Sequence, residues 1–136
     1  MNCSLCLAFQ REKNKCSGCN AKDGSKVNHC NVCKIKNCTE HSNAKTEYCY
    51  SCGKFPCKRM KQLDKRYRTK YGMSMIKNLR TIEAHGIKSF AEMETKKWTC
   101  RKCGSLLCVH RDSCQHCGST NKVLARELIK LNKTKI

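Results

Sequence analysis

The sequence CNVCKIKNC occupies residues 30–38, and CYSCGKFPC follows at residues 49–57. Both stretches place their cysteines as C-x2-C-x4-C, and the same spacing recurs at Cys100, Cys103 and Cys108. Two cysteines separated by two residues share one tight loop, so both sulfurs can bind the same tetrahedral metal ion. This repeated spacing predicts a chain whose fold is organised around bound metal.

Two further groups of cysteines flank this central part. Near the start, two C-x2-C knuckles (Cys3 with Cys6, and Cys16 with Cys19) supply enough ligands for one zinc site. Near the end, the segment 98–118 carries two C-x2-C-G knuckles, which predict a zinc ribbon, a pair of β-hairpins held by one metal. The predicted metal ligands are Cys3, Cys6, Cys16, Cys19, Cys30, Cys33, Cys38, Cys49, Cys52, Cys57, Cys100, Cys103, Cys114 and Cys117.

The division of the six central cysteines among metal ions stays open. The simplest partition joins Cys30 and Cys33 with Cys49 and Cys52, which leaves Cys38 and Cys57 as additional ligands or core thiols. A cross-braced arrangement, which mixes N-terminal and central pairs, is also physically possible. His29 and His41 lie nearby, but a lone histidine is more often a surface residue than a ligand. Near the end, Cys108, His110 and His116 are expected to support the ribbon and not to bind its metal.

Composition agrees with a metal-stabilised fold. Hydrophobic residues make up 39% of the chain, but 15 cysteines are counted among them, and a thin core needs metals or disulfides. The chain begins with no apolar run typical of a signal peptide, and no stretch has membrane-spanning length. A cytoplasmic location, where thiols stay reduced, is therefore expected, with two to four Zn²⁺ ions per chain. The predicted fold class is a small metal-stapled α+β protein with several zinc knuckles, a central short-helix segment and a C-terminal zinc ribbon.

The charge of the chain is strongly one-sided. Lysine and arginine number 29 against 10 acidic residues, for a formal net charge of +19. Four thiolates around Zn²⁺ leave a site charge near −2, so three such sites would reduce the total to roughly +13. Such an excess favours a polyanionic partner.

Residues 58–71 read as a helix with a narrow apolar stripe formed by Met60, Leu63, Tyr67 and Tyr71. Like charges on the rest of its surface repel each other and are stabilised beside phosphates. The predicted nucleic-acid contacts are Lys58, Arg59, Lys61, Lys65, Arg66, Arg68 and Lys70.

Two shorter helices are predicted after this one. Gly72 ends the basic helix, Ser74 caps the second, Gly86 closes it, and Ser89 with Glu92 forms a capping box for the third. The predicted organisation is an N-terminal multi-cysteine module (1–57), a basic helical segment (58–97), a zinc ribbon (98–120) and a basic C-terminal helix or tail (121–136).

The order of these motifs resembles an uncharacterised family of small cysteine-rich, zinc-finger-like proteins from anaerobic bacteria and archaea. The resemblance covers roughly residues 3–118, and its most specific part is the F-P-C element at Phe55–Cys57. It implies a metal-binding fold and no particular activity. Many members are less basic than this chain, so the charge needs its own explanation.

These observations predict a non-enzymatic multi-zinc protein that binds nucleic acid, with RNA and the ribosome as the favoured partners. Contacts to the phosphate backbone would dominate, and Tyr67, Tyr71 or Trp98 could stack on bases. The alternative is a zinc-dependent protein–protein adaptor or regulatory subunit of a larger assembly, whose charge would meet an acidic partner. Catalysis would need an open metal position or an activated thiol, for which only Cys108 near His110 is available. An iron–sulfur cluster is less favoured, because none of the ferredoxin spacings is present.

Overall fold

The computed structural model describes residues 2–22, 26, 28–40 and 44–133, with side chains up to residue 130. Its α-helices are α1 (Leu7–Gln10), α2 (Asn28–Asn31), α3 (Lys58–Tyr71), α4 (Met75–Lys97) and α5 (Lys122–Lys133). Two short 3-10 helices, Cys3–Leu5 and Cys49–Ser51, form the turns of two cysteine knuckles. His41, one of the possible ligands, lies outside the described residues.

The described residues are mostly helical and contain almost no β-structure. Two isolated antiparallel bridges, Thr99 with Leu106 and Ser113 with Thr120, are the β-pairing found there. The predicted α+β class and the pair of β-hairpins are therefore not confirmed. Each C-terminal knuckle closes with one bridge because a helix lies directly outside it: α4 ends at Lys97, and α5 begins at Lys122.

Helix α3 follows the predicted apolar stripe. Met60 is buried, and Leu63, Tyr67 and Tyr71 pack partly buried against the core. Gly72 ends the helix with φ of 59°, a left-handed conformation that glycine adopts without a steric penalty. The turn at Gly72 then leads directly into α4.

Helix α4 begins as predicted, and the break predicted at Gly86 is present within it. The hydroxyl of Ser74 accepts a hydrogen bond of 3.0 Å from the amide of Lys77, which is an N-cap. Gly86 has non-helical angles and divides the helix into segments 75–85 and 87–97. The second segment starts directly after this break, so Ser89 lies inside it and not at its N-cap. Phe90 of the second segment is buried, whereas Met93 is 44% exposed.

One hydrophobic cluster draws on all parts of the described chain. Leu5 comes from the N-terminal knuckle, Met60 from α3 and Met75 from α4, and all three are buried. Trp98 lies in the same cluster and is completely buried. Because several short segments share these contacts, each depends on the others for its burial.

Helix α5 completes this cluster by packing against α3. Val123 and Leu124 are buried, and Leu128 is partly buried against the same core. Asn121 fixes the start of α5, because its side-chain oxygen accepts a hydrogen bond of 3.1 Å from the amide of Leu124. Among the described residues, no helix combines the length and the apolar character needed to cross a bilayer.

Candidate metal centre

The chain between Trp98 and Asn121 consists of two loops with the same backbone hydrogen bonds, which we call the double knuckle (residues 98–121). The amide of Cys100 donates to the carbonyl of Ser105 at 2.8 Å, and the amide of Cys114 donates to the carbonyl of Ser119 at 2.8 Å. Each loop reads C-x2-C-G-S, and the two are offset by 14 residues. Equivalent amide–carbonyl bonds join Leu107 to Trp98 and Asn121 to Asp112 at the loop ends. The sequence repeat is therefore also a structural repeat.

This repeat brings four sulfur atoms together. The Sγ atoms of Cys100, Cys103, Cys114 and Cys117 all lie within 4.8 Å of one another. The distances Cys100–Cys117 and Cys103–Cys114 are both 3.7 Å. Four sulfurs placed tetrahedrally at about 2.3 Å from a zinc ion would be about 3.8 Å apart. A disulfide needs a separation of about 2.0 Å, so the spacing fits a shared metal ion and not a covalent bond.

Ser119 stabilises negative charge in this group. Its hydroxyl oxygen lies 3.0 Å from the Sγ of Cys117 and 3.4 Å from the Sγ of Cys100. This hydroxyl is the main cause that lowers the pKa of Cys100 to about 6, and backbone amides of Cys103 and Lys102 add to the effect. It also lowers the pKa of Cys117. Two of the four sulfurs are thus favoured as thiolates, the form that binds metal.

The four sulfurs are close enough together to hold one metal ion. Cys100 and Cys114 are buried, while Cys103 and Cys117 are partly buried. A tetrahedral four-sulfur set is typical of zinc or of iron. With all four positions filled by thiolates, such a site is typical of structural metals.

The N-terminal cysteines are close together but do not form a comparably tight set. The amide of Cys19 donates to the Sγ of Cys3 at 3.4 Å. A hydrogen bond with the Cys19 thiol is the largest cause that lowers the pKa of Cys3 to about 5, and the same contact raises the pKa of Cys19. Cys6 ends the first knuckle, and its amide donates to the carbonyl of Cys3 at 2.9 Å. Cys16 begins the second, and its amide donates to the carbonyl of Ala8 at 2.7 Å.

Three other central cysteines lie near Cys49. Burial is the largest cause that raises the pKa of Cys49, and the sulfurs of Cys38, Cys57 and Cys52 add to it. Cys38 and Cys57 are the two cysteines that the simplest partition leaves over. Cys49 and Cys52 form the second central knuckle. Within the described residues no other group of three or more ligand atoms meets as closely as the double knuckle does. The ten cysteines outside it stay predicted ligands.

The histidines and Cys108 have separate environments. His29 and His116 are exposed, whereas Cys108 is only 1% exposed and lies in the core. His110 joins three parts of the fold: its Nδ1 accepts a hydrogen bond of 3.3 Å from the amide of Leu7, and its ring packs edge-on against Tyr71 at 4.7 Å between ring centroids. Burial lowers the pKa of His110.

The seven basic residues predicted to contact nucleic acid lie on α3 but have different roles. Arg68 forms an ion pair of 2.7 Å with the buried Asp64. Arg59 donates to the carbonyl of Lys34 at 3.1 Å and lies 3.9 Å from the Sγ of Cys38, so it holds the central loop. The other five are exposed and form no ion pair with the described residues: Lys58, Lys61, Lys65, Arg66 and Lys70.

The N-terminal part of the chain matches a known protein family in sequence. Residues 1–62 match the sequence model of a family described as "Protein of unknown function (DUF3795)". The match contains the N-terminal and central cysteines and the first residues of α3, and it ends before the double knuckle. No curated protein and no solved structure matches the chain. The resemblance to an uncharacterised family is thus supported for these residues. The match gives no information on a relationship to zinc fingers or on the organisms in which the family occurs.

Three important residues were not singled out from the sequence. Ser119 could have been found from the repeated C-G-S, because both loops place a serine after the glycine. Asn121 stands immediately before an amphipathic helix, which is an N-cap position. Asp64 is the one acidic residue of α3, and nothing local in the sequence indicates its partners on α4.

Proposed function

We propose that this chain is a non-enzymatic zinc protein that binds RNA through its basic surface, with the ribosome as the expected setting. The observation that carries the proposal is the set of five exposed cations on α3. They are Lys58, Lys61, Lys65, Arg66 and Lys70, and no acidic side chain of the described chain neutralises them. Unpaired cations fixed on one helix repel each other and are stabilised by a row of phosphates.

Zinc is the metal that we assign to the double knuckle. The 3.7 Å sulfur separations match the edge of a zinc–thiolate tetrahedron, and the hydrogen bonds to Cys100 stabilise thiolate. The arrangement is then a shortened zinc ribbon, in which each hairpin has a single β-bridge. The remaining cysteines bring the proposed content to two to four Zn²⁺ ions per chain. A cluster of iron and sulfide would separate the thiolates more widely than one ion does.

Metal and charge act together in this proposal. Binding of zinc fixes the loops without a large apolar core and leaves the surface to cationic side chains. Because four thiolates close the metal site, the proposed zinc supports the fold and takes no part in a reaction. The cytoplasm, which keeps thiols reduced, is the location that suits such a site.

A protein–protein adaptor is the second candidate. Four large apolar side chains are exposed on the described surface, at Val32, Ile87, Met93 and Ile129. Their scattering along the chain is compatible with contacts to protein partners within a larger assembly. An adaptor would bind an acidic protein, and bulk RNA would not compete with that partner.

Binding to RNA is tested with two triple variants that remove the same charge. One is Lys61→Gln, Lys65→Gln and Arg66→Gln on α3, and the control is Lys13→Gln, Lys22→Gln and Lys34→Gln, all exposed and distant in sequence. Fluorescence anisotropy with labelled RNA should show a tenfold or greater loss of affinity for the α3 variant. The slope of the logarithm of the binding constant against the logarithm of the salt concentration should also be smaller by about 2, since each single-strand phosphate contact contributes about 0.7. Equal effects of both variants, or no RNA binding by the wild type at moderate salt, would refute the proposal.

The metal content needs its own measurement. Elemental analysis of the purified protein should give two to four zinc atoms, and Cys114→Ser should lower the number by one. Crosslinking in cells should then recover RNA attached to the segment 58–70. Iron in place of zinc would overturn the metal assignment, and recovery of an acidic protein without RNA would favour the adaptor.

A further inference from the structure

A groove lies beside the metal centre, between the end of α4, the double knuckle and the start of α5. Its volume is about 1130 Å³. Six of the side chains that line it are basic: Lys96, Lys97, Arg101, Lys102, Lys122 and Arg126. No acidic residue lines it. The residues that line it come from two segments, 93–107 and 119–126, which meet only in the folded chain. The groove therefore cannot be identified from a run of charges in the sequence.

Most of these cations lack an intramolecular partner. Glu127, at the side of the groove, lies 3.8 Å from Lys97 and 3.9 Å from Arg126. Within the described part of the chain, no ion pair involves the remaining four: Lys96, Arg101, Lys102 and Lys122. Cys100 also lines the groove, and a zinc–thiolate centre there would carry a charge near −2. The six cations outnumber that charge, and their excess favours an anionic ligand with several negative groups.

The groove also has an apolar floor. Leu107 and Val123 line it and are almost completely buried, and Met93 lines it with 44% of its surface exposed. A ligand that consisted of phosphate alone would leave the exposed part of Met93 in contact with water. A flexible chain that alternates phosphates with flat apolar rings complements both features, because unstacked bases can cover apolar surface while the phosphates face cations.

We infer that this groove is a binding site for single-stranded RNA, with a base on the apolar floor and phosphates against Lys96, Arg101 and Lys102. The inference rests on the proposed function and assigns a second, separate site to it. A concave groove admits a single strand, because an unpaired base can turn out of its stack and enter the groove. The outer surface of α3, in contrast, can contact the backbone of a strand or of a duplex. The groove therefore gives the protein a preference for unpaired RNA.

Anisotropy with a fluorescein-labelled 12-nucleotide oligouridylate and with a labelled RNA hairpin duplex tests the inference on the metal-loaded full chain. The groove variant is Lys96→Gln, Arg101→Gln and Lys102→Gln, and the control is again Lys13→Gln, Lys22→Gln and Lys34→Gln. We expect the groove variant to lose tenfold or more of its affinity for oligouridylate, with a decrease of about 2 in the salt slope. Its affinity for the duplex should change no more than that of the control.

A second variant blocks the groove without changing its charge. Thr120 lines the groove and is exposed, so Thr120→Leu would occupy space above the floor without adding an aromatic ring on which a base could stack. We expect a similar loss for oligouridylate and unchanged binding of the duplex. Circular dichroism and zinc content establish that both variants are folded.

The outcomes separate this inference from the proposed function. If oligouridylate binds and only the α3 variant weakens it, the groove inference is wrong and the proposed function stands. If neither RNA binds to the wild type, both fail. Binding of vesicles containing phosphatidylserine through the groove, without binding of oligouridylate, would assign the groove to a lipid surface and overturn the inference.

Discussion

The carboxylate of Asp64, on α3, accepts a hydrogen bond of 2.7 Å from the hydroxyl of Ser74, which caps α4. The same oxygen accepts a second bond of 3.0 Å from the amide of Ile76, and the other oxygen is paired with Arg68. Asp64 is only 5% exposed. One carboxylate therefore fixes the middle of α3 against the start of α4.

Replacing Asp64 should destabilise the fold. Asp64→Ala leaves the Ser74 hydroxyl and the Ile76 amide without their acceptor, and we expect a loss of about 2–4 kcal/mol in the free energy of unfolding. Arg68→Gln removes only the partly exposed ion pair and should cost no more than about 1 kcal/mol. Urea denaturation of the metal-loaded proteins measures both. Equal costs would mean that the ion pair, and not the cap, is the main contribution.

Gly72 should not tolerate a side chain. A Cβ at this position would lie 2.7 Å from the Cβ of Glu127 and 3.2 Å from its backbone carbon, so α5 would have to move. We expect Gly72→Ala to cost about 3–4 kcal/mol, from left-handed strain together with overpacking. Gly104→Ala is the control, because Gly104 also has a positive φ but has open space around it. Its cost should be about 1–2 kcal/mol by urea denaturation, and a cost equal to that of Gly72→Ala would contradict the close approach.

Asn121 should be important for the junction of the double knuckle and α5. Its amide nitrogen donates to the carbonyl of Cys108 at 3.1 Å and to that of Arg111 at 2.9 Å, and its oxygen caps Leu124. Asn121→Ala should cost about 2–3 kcal/mol. Asn121→Ser keeps a capping oxygen and should recover about 1 kcal/mol in thermal or urea unfolding. If serine recovers nothing, the cap contributes little and the two donated bonds dominate.

Loss of the Ser119 hydroxyl should weaken metal binding. Because this hydroxyl lowers the pKa of Cys100 and Cys117, Ser119→Ala raises both values, so protons compete more effectively with the metal. We expect metal affinity to fall about tenfold at neutral pH and release on acidification to begin at a higher pH. Ser105→Ala, at the equivalent position of the other loop, is the control. Competition with a chromophoric chelator between pH 5 and pH 8 measures both, and coincident curves would disprove the role of Ser119.

His110 should make stability depend on pH. Burial lowers its pKa from the ordinary value of 6.5, so the folded state binds the proton less well than the unfolded state does. The stability that neutral His110 contributes is complete above pH 6.5 and is lost as the pH falls through the lowered pKa. His110→Asn keeps an acceptor for the amide of Leu7 but cannot titrate. The wild type should therefore lose more stability than this variant between pH 7.5 and pH 5 in urea denaturation, and parallel losses would contradict the assignment.

The sequence predicted several elements because their signals are local. The stripe on α3, the glycine that ends it and the serine that caps α4 all depend on residues within one or two turns. The candidate site at Cys100, Cys103, Cys114 and Cys117 was also predictable, since each knuckle needs only two cysteines on one loop. Ser89 was misjudged as a helix start, because continuous helical backbone after Gly86 overrides a local capping pattern.

Other features could not be predicted because they join distant parts of the chain. The amide of Val109 donates to the carbonyl of Leu5 at 2.9 Å, which attaches the N-terminal knuckle to the double knuckle. Arg59 is indistinguishable in sequence from the unpaired cations of α3, yet it donates to the carbonyl of Lys34 in the central loop. Arg68 differs, because it follows Asp64 by four residues and pairs with it. Whether a charge is free for a ligand depends on neighbours that folding supplies.

The sequence by itself determined the chemistry: which atoms can bind metal, in what local spacing, and how large the positive charge is. The tertiary structure decided which sulfurs meet, which cations stay unpaired and where a cationic groove opens. The physical reason is range. A C-x2-C loop and a helix cap are set by bonds between near neighbours, whereas a four-sulfur cage, a buried carboxylate or a groove exists only where separate segments pack against one another.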